Sequence, residues 1–326
     1  MAVVRICPLS LPLHAKPLCS TCVLIHMNLY EVTYDLLRQI PRGKVSTYGA
    51  LAKALGDIRA SRAVGQMLHV NPYDDAPCYR VVYSDGRIGG YATGVAKKIR
   101  MLKNDGIEII DGKIDLKKYL FDAFECDYPL KRLREEQETL RVKVSLDDDF
   151  ARSTVAGVDV SYGKYAYGAY VEFDFDGAVL RKKTVKIPIE FPYIPTYLAY
   201  AELPVINELL RGEHPGIVMV DGNGILHPRR FGLACHVGVV HDVATIGIAK
   251  KKLCGTEEED SVLLDGKVVA KRLGKLFISP GHRVSVDTAL SITRNFMQYS
   301  VPEPTRQAHI LANEARRSRE GIARKK

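Results

Sequence analysis

The chain has 326 residues, 46% of them hydrophobic, with a formal charge of +9 and a pI near 9.1. Single cores stop growing at roughly 250–300 residues, so this length favours two domains. The basic balance favours a polyanionic partner such as nucleic acid. No apolar run approaches the roughly 20 residues that cross a bilayer, and seven scattered cysteines argue against a secreted disulfide framework. We therefore expect a cytoplasmic protein with no membrane and no obligate protein partner.

The first predicted domain spans residues 27–126, after a leader, 1–26, that we expect to be disordered. Apolar residues at helical spacing predict a helix over 29–40, which Pro41-Arg42-Gly43 ends. A second helix over 48–55, capped by Ser46 or Thr47, and a third over 59–69 complete a helix-turn-helix pattern. A hairpin around Ser84-Asp85-Gly86, a basic helix over 95–103 and a second small hairpin follow.

The second predicted domain spans residues 127–315. A linker at 127–129 leads into a charged helix with an apolar stripe, and strand-like runs follow at 155–162, 165–173 and 179–188. A helix over 197–210 and an apolar strand over 216–220 come next, an order that indicates a mixed sheet. The fold class is therefore α/β, a small α+β helix-turn-helix domain followed by a mixed-sheet α/β domain. The basic segment 316–326 is interpreted as a solvated tail.

Cys78 is the candidate nucleophile of the first domain. It lies in Pro77-Cys78-Tyr79-Arg80, shortly after the third predicted helix. A nucleophilic cysteine must be partly exposed and close to a cation or a helix N-terminus, and Arg80 is such a cation. Free cysteines are more often buried and inert, so these residues alone leave both interpretations open.

Five ordered motifs lie between residues 28 and 110: Ile40-Pro41-Arg42-Gly43-Lys44-Val45-Ser46-Thr47-Tyr48-Gly49, Ala60-Ser61-Arg62-Ala63-Val64-Gly65, Asn71-Pro72, Pro77-Cys78-Tyr79-Arg80 and Gly89-Gly90-Tyr91. Together they resemble the C-terminal domain of O6-alkylguanine-DNA alkyltransferases. The resemblance implies a domain that enters the minor groove, flips an alkylated guanine and transfers its alkyl group irreversibly to Cys78. It also implies that Arg62 fills the gap left by the base and that Tyr48 contacts the nearby backbone. Asn71 would order the turn before the cysteine, and Arg80 completes the predicted DNA-binding set.

Two positions depart from that family's pattern. The family has a His directly after the cysteine, which works through a water with a downstream Glu, whereas this chain has Tyr79 and Asp105. A phenol with a pKa of about 10 is a poor base at neutral pH, so Tyr79 is expected to relay a proton only as a neutral group. Slow transfer and a non-catalytic lesion clamp both stay open, and the retained Cys78 favours transfer.

Two aspartates of the second domain are candidate metal ligands. Asp159 interrupts an apolar strand, and Asp221 ends another strand just before Gly222-Asn223-Gly224. A strand-centre acid is costly unless it is paired or bound to a cation, and adjacent parallel strands would bring the two carboxylates together. Asp221 alone is more often a turn residue. Carboxylates that hold Mg²⁺ suit phosphodiester hydrolysis, which needs an activated water and a stabilised leaving oxygen.

Six further motifs lie between residues 130 and 315: Gly157-Val158-Asp159-Val160-Ser161-Tyr162, Pro192-Tyr193-Ile194-Pro195, Asp221-Gly222-Asn223-Gly224, His227-Pro228-Arg229-Arg230-Phe231-Gly232, Ile246-Gly247-Ile248-Ala249-Lys250 and Pro302-Glu303-Pro304-Thr305-Arg306. This set resembles endonuclease V, which implies a ribonuclease H-like fold. By the resemblance, the metal-binding acids are Asp159, Glu202 and Asp221. Lys250 would lie near the scissile phosphate, and His309 near the metal site.

The same resemblance implies contacts with the nucleic acid. Tyr193 would be the wedge that separates the strands, Gly222 and Gly224 would line the pocket for hypoxanthine, and His227 would support the active-site loop. Thr196 stands where the family usually has Gly, and Ala201 where it has an Arg. The sequence therefore specifies the range of lesions that the nuclease recognises less closely than it specifies the cleavage reaction.

The two resemblances together predict a bifunctional DNA repair protein. Its nuclease would cleave the second phosphodiester bond 3′ to deoxyinosine, leaving 3′-hydroxyl and 5′-phosphate ends, with Mg²⁺ as cofactor and Mn²⁺ as an alternative. Xanthine and uracil are further candidate bases. Damaged DNA, single- or double-stranded, is the expected partner, and inosine in RNA is a rival target.

Overall fold

The computed structural model describes residues 27–321 of the chain. The predicted leader, 1–26, lies outside the described residues, as do residues 322–326 of the predicted tail. Within the described part, each helix is too short or too polar to cross a membrane.

The first domain is built from short helices and two short strands. Its elements are α1 (Leu29–Arg38), β1 (Ser46–Thr47), α2 (Tyr48–Ala54), a 3-10 turn (Ile58–Ala60), α3 (Ser61–His69), a second 3-10 turn (Cys78–Arg80), β2 (Val81–Val82), α4 (Val95–Asn104) and α5 (Leu116–Tyr119). The Asn28 side chain caps α1, and the Thr47 hydroxyl caps α2 by accepting from the Ala50 amide at 3.0 Å. Of the two cap candidates before α2, Thr47 is thus the one that the helix uses.

The strand that pairs with β2 is not the one that the hairpin prediction implies. The turn at Ser84-Asp85-Gly86 forms, and the Tyr83 amide donates to the Arg87 carbonyl across it. However, β2 pairs in parallel with β1, with Ser46 opposite Val81. Both strands are buried whereas Arg87 is exposed, so pairing with β1 is the arrangement that removes β2 from water.

The second domain is a mixed sheet with helices on its faces. Its elements are α6 (Pro129–Arg141), β3 (Val155–Tyr162), β4 (Ala166–Phe173), β5 (Val179–Ile187), α7 (Leu198–Leu210), β6 (Ile217–Asp221), α8 (Leu233–His241), β7 (Ala244–Ala249), β8 (Thr256–Glu258), β9 (Ser261–Leu264), β10 (Lys267–Leu273), β11 (Leu276–His282), α9 (Val286–Asn295) and α10 (Glu303–Glu320). The strand order within residues 27–321 is β5-β4-β3-β6-β7-β11-β10-β9-β8. The neighbours β3, β6 and β7 are parallel and the remaining pairs antiparallel, which confirms the predicted mixed sheet.

The two parallel strands β3 and β6 position the acidic residues. Val158 lies opposite Val220 in their register. Asp159 and Asp221 directly follow these two valines, so both acids lie at the same edge of the sheet. The parallel pairing therefore juxtaposes residues that are far apart in the chain.

Gly157 allows α10 to lie directly on β3. A Cβ atom at Gly157 would lie 2.1 Å from the carbonyl carbon and oxygen of Pro304, closer than real side chains approach. This contact brings His309, further along α10, to the sheet edge. The helix continues to Glu320, whose carboxylate accepts from the Lys164 amide at 2.6 Å. The tail predicted from residue 316 therefore begins inside an anchored helix.

The two domains share one hydrophobic core. Leu130 and Leu133 of α6 pack with the buried residues of α1, α2 and α3, whereas Leu140 of the same helix packs in the second domain. Phe191, Ile194 and Tyr197, from the loop before α7, pack in the same cluster. We call this cluster, formed by buried residues of α1, α2, α3, the start of α6 and the loop before α7, the shared core. The helix after the predicted linker thus bridges the domains.

Candidate active sites

An open cavity of about 460 Å³ lies at the carboxyl ends of β3 and β6, and three acids line it. Asp159, Asp221 and His309 offer ligand atoms that all lie within 4.8 Å of one another. Glu202, from α7, lines the same cavity. Carboxylate oxygens are the ligands that Mg²⁺ and Ca²⁺ prefer, so the donor set fits a hard divalent cation.

Two basic side chains contact these acids. The Lys250 ammonium, directly after β7, donates to Asp221 Oδ2 at 3.2 Å, and its side chain is 58% exposed. The His309 Nδ1 atom lies 2.8 Å from Asp159 Oδ2. Lys250 is therefore placed at the rim, where an anionic ligand can reach it.

Of the remaining predicted residues of this domain, Tyr193 lines the cavity, whereas Gly222, Gly224 and His227 do not. Tyr193 lines the mouth and is 61% exposed. Gly222 and Gly224 lie in the loop after β6, where a Cβ at Gly224 would lie 2.0 Å from the Pro280 carbonyl oxygen. His227 is absent from the cavity lining, and its Nε2 atom lies 3.2 Å from the Thr196 carbonyl oxygen in the loop that bears Tyr193.

A second cavity, of about 750 Å³, contains the thiol of the first domain. Cys78, Tyr48 and Arg62 line it together, with Tyr91 on the same wall. Asn71 lies outside the lining and orders the preceding turn, since its amide nitrogen donates to the Ala76 carbonyl at 2.9 Å. The partly exposed Cys78 thus opens into a pocket rather than into the core.

Tyr79, Arg80 and Asp105 form a hydrogen-bonded group behind the thiol. The Tyr79 hydroxyl donates to Asp105 Oδ2 at 2.9 Å, and Arg80 Nε donates to the same oxygen at 2.7 Å. Arg80 also donates to the Ile40 carbonyl at 2.8 Å and does not line the cavity. Arg80, the cation that the sequence analysis places close to Cys78, is therefore bound to the Asp105 carboxylate.

Comparison with known proteins identifies the family. Residues 138–310 match the family model described as Endonuclease V, and residues 28–107 match the model described as 6-O-methylguanine DNA methyltransferase, DNA binding domain. A protein of Picrophilus torridus named bifunctional methyltransferase/endonuclease is 44% identical over 285 residues, which are 87% of this chain and 95% of that relative. The chain belongs to this bifunctional methyltransferase/endonuclease family.

Solved structures agree with the endonuclease V domain. The endonuclease V of Streptomyces avermitilis is 33% identical with a TM-score of 0.54, covering 59% of this chain and 94% of that chain. An endonuclease V of Ciona intestinalis in complex with a 23mer DNA containing an inosine is 28% identical with a TM-score of 0.54, covering 60% and 99%. The α/β fold predicted for the second domain is thereby confirmed.

Two of the three acids in the cavity, Glu202 and Asp221, have raised pKa values. Burial raises the pKa of Glu202 well above its usual range, and the carboxylates of Asp159 and Asp221 raise it further. Burial and Asp159 also raise the pKa of Asp221, against a partial opposing effect of Lys250. The hydrogen bond to Asp159 raises the pKa of His309. Crowded carboxylates of which two, Glu202 and Asp221, have raised pKa values are the arrangement that a cation stabilises.

Asn313 and Ser161 are residues of this site that sequence reasoning missed. The Ser161 hydroxyl donates to Asn313 Oδ1 at 3.0 Å, and the Asn313 amide lies 3.2 Å from His309 Nε2. Asn313 thereby fixes the imidazole that faces Asp159. Its position four residues after His309 on α10 is the signal that was available in the sequence.

Lys98 of the alkyltransferase-type domain was also missed. The sequence predicts a basic helix over 95–103, yet Lys98 within it is 1% exposed, and its ammonium donates to the Val81 carbonyl at 2.6 Å and the Gly90 carbonyl at 3.3 Å. Burial lowers the pKa of Lys98 to about 8, and the nearby Cys78 thiol opposes part of that change. Lys98 lies three residues after Val95 and four before Leu102, which places it on the apolar face of the helix. That spacing is the sequence feature from which its burial could have been predicted.

Proposed function

We propose that the chain cleaves the second phosphodiester bond 3′ to deoxyinosine and transfers alkyl groups from O6-alkylguanine to Cys78. The convergence of Asp159, Glu202 and Asp221 on one open cavity carries the first activity. The placement of Cys78 in a pocket with Tyr48 supports the second. Xanthine and uracil are proposed as further bases for the nuclease, and damaged single- or double-stranded DNA as the partner.

Mg²⁺ is the proposed ion, with Mn²⁺ as an alternative, and its ligands would be the carboxylates of Asp159, Glu202 and Asp221. A divalent ion there would supply a more acidic water and stabilise the leaving oxygen. The raised pKa values of Glu202 and Asp221 support the fit, because a cation relieves the repulsion among these acids. His309 keeps Asp159 oriented through the 2.8 Å contact.

The other residues bind and orient the nucleic acid. Lys250 would neutralise the scissile phosphate from the rim, where its ammonium is already exposed. Tyr193 would separate the strands at the mouth of the cavity, and the hypoxanthine would enter the loop that contains Gly222 and Gly224. His227 supports the loop behind Tyr193 through the Thr196 carbonyl.

Cleavage of matched inosine-containing strands tests the nuclease. The wild-type chain is expected to cut labelled DNA one nucleotide beyond the inosine, and Asp221→Ala to stop the reaction. Asp265→Ala is the matched control, because Asp265 is an exposed carboxylate outside the cavity. No cut in the DNA strand would refute the proposal, and preferential cutting of the RNA strand would assign the nuclease to inosine in RNA.

The thiol reaction is a single-turnover transfer. A bond forms between Cys78 Sγ and the alkyl carbon, and the bond from that carbon to O6 breaks, leaving its electron pair on the guanine. The proton lost by the thiol returns to the guanine, so the repaired base leaves neutral. Flipping is required because the O6 atom is enclosed in the stacked duplex. Arg62 would fill the gap that the base leaves, and Arg80 would act through Asp105.

Mass spectrometry after incubation with an O6-methylguanine oligonucleotide tests the transfer. An added methyl group on Cys78 is expected, with none in Cys78→Ser and an unchanged yield in Cys126→Ser, which alters another partly exposed thiol. The Tyr79–Asp105 hydrogen bond favours a rival function, a lesion clamp, because it leaves a neutral phenol beside the thiol. Tight binding with an unmodified Cys78 would replace transfer with that clamp.

A further inference from the structure

The loop that bears Tyr193 is seated in the alkyltransferase-type domain. Phe191, Ile194 and Tyr197 are buried in the shared core, on either side of the exposed Tyr193. The backbone at the start of the loop is also held, because the Leu29 amide donates to the Glu190 carbonyl at 2.9 Å. The loop that borders the nuclease cavity is therefore anchored by residues of the other domain.

A buried polar contact fixes the end of the loop. The Tyr197 hydroxyl donates to Asp57 Oδ2 at 2.8 Å. The other oxygen of Asp57 accepts from the Arg59 amide at 3.0 Å, so the carboxylate is itself held in place. Burial raises the pKa of Tyr197 to about 12, and the hydrogen bond to Asp57 contributes to that increase. The hydroxyl is thus a neutral donor to a fixed carboxylate across the domain boundary.

Thr196 is held from both domains. Its backbone has a left-handed φ of 72°, a conformation that is unfavourable for a non-glycine residue and persists only when neighbours enforce it. Arg229 of the endonuclease V domain donates to the Thr196 carbonyl at 2.6 Å and to its hydroxyl at 2.9 Å. Arg59 of the other domain donates to the same hydroxyl at 3.4 Å. The conformation after Tyr193 therefore depends on both domains.

We propose that Asp57 and Tyr197 are positioning residues of the nuclease, through which the alkyltransferase-type domain holds Tyr193 at the cavity mouth. The inference rests on the proposed inosine-specific cleavage and extends it. Neither residue lines the cavity, so both act through the loop and not on the substrate. The nuclease reaction then depends on the integrity of the domain that carries Cys78.

Asp57→Ala in the full chain is the test, with Asp57→Asn as the conservative variant. The amide keeps an oxygen for the Arg59 amide and a polar group for the Tyr197 hydroxyl. Asp57→Ala is expected to lower kcat on inosine DNA by about tenfold while KM changes less, because a misplaced wedge acts after binding. Asp57→Asn is expected to restore most of the rate. A 2-aminopurine placed beside the inosine reports insertion of the wedge by its fluorescence.

Hydrogen exchange of the DNA-free protein gives an independent readout. Faster exchange over residues 190–197 is expected in Asp57→Ala and in Tyr197→Phe. Tyr34→Phe is the matched control, because it removes a buried tyrosine hydrogen bond, to the Met67 carbonyl at 3.1 Å, inside one domain. That control is expected to leave both the exchange of the loop and the cleavage rate unchanged.

The outcomes separate the two proposals. Unchanged exchange over residues 190–197 in Asp57→Ala would overturn the positioning role, and so would faster exchange with an unchanged kcat. A wild-type chain that does not cut inosine DNA would refute the proposed cleavage alone. In that case the exchange data and the 2-aminopurine signal would still decide whether Asp57 positions the loop.

Discussion

Replacing Lys98 with methionine is expected to remove a pH-dependent part of the protein's stability. Lys98 is an ammonium group buried in the alkyltransferase-type domain, where it donates to two backbone carbonyls. Burial lowers its pKa from 10.5 to about 8 in the folded chain. Methionine keeps an unbranched chain of similar length and cannot take up a proton, so the comparison isolates the titration.

The sign follows from proton binding in the two states. Between pH 8 and 10.5 the folded chain holds a neutral Lys98 amine whereas the unfolded chain is still protonated, so the free energy of unfolding rises with pH. Over the whole titration of Lys98 the free energy of unfolding rises by about 3 kcal/mol, at about 1.36 kcal/mol for each unit of pKa. Between pH 7 and pH 9 the free energy of unfolding of the wild-type chain should rise by about 1.3 kcal/mol relative to that of Lys98→Met.

Urea unfolding followed by circular dichroism measures this difference. The chain has no tryptophan, so far-ultraviolet circular dichroism is the suitable signal. Titrating groups that do not interact with Lys98 cancel when the variant is subtracted at each pH, and replacing Cys78 by serine in both proteins removes the neighbouring thiol. A difference between wild type and Lys98→Met that is the same at pH 7 and pH 9 would refute the burial argument.

Three further perturbations test the two sites. Gly157→Ala would place a Cβ against the Pro304 carbonyl and move His309 away from its carboxylate partner, so gel assays should show cleavage reduced about a hundredfold. A cleavage rate of Gly157→Ala equal to that of the wild-type chain would contradict this expectation. Removing divalent metal with EDTA should stop cleavage and spare alkyl transfer, and added Mg²⁺ should restore cutting; cutting in EDTA would exclude the proposed metal site. Tyr79→His should raise the transfer rate at pH 7.5 by about tenfold, because imidazole accepts protons beside Asp105 better than the phenol does; equal rates in quenched time courses would show that this position does not limit transfer.

Much of the fold could be predicted because its signals are local. The apolar spacing before Pro41-Arg42-Gly43 predicted the first helix, and the structure ends it at Arg38, two residues short of the prediction. The apolar run from 155 to 162 predicted β3 with the observed bounds. Asp159 stood out because an acid in such a run is costly, a conflict that is visible within a few residues. Helical periodicity and strand composition depend on neighbouring residues, so the sequence carries them directly.

The sequence by itself determined the two domain types, the candidate thiol and the strand-borne acids, because each depends on neighbouring residues. Only the tertiary structure decided that Lys98 is buried, that β2 pairs with β1, and that Asp57 meets Tyr197 across 140 residues of chain. These contacts arise when distant apolar faces pack together and exclude water from whatever polar groups lie between them. No pattern within one segment records which other segment will cover it, so the coupling of the two domains becomes visible only in the folded chain.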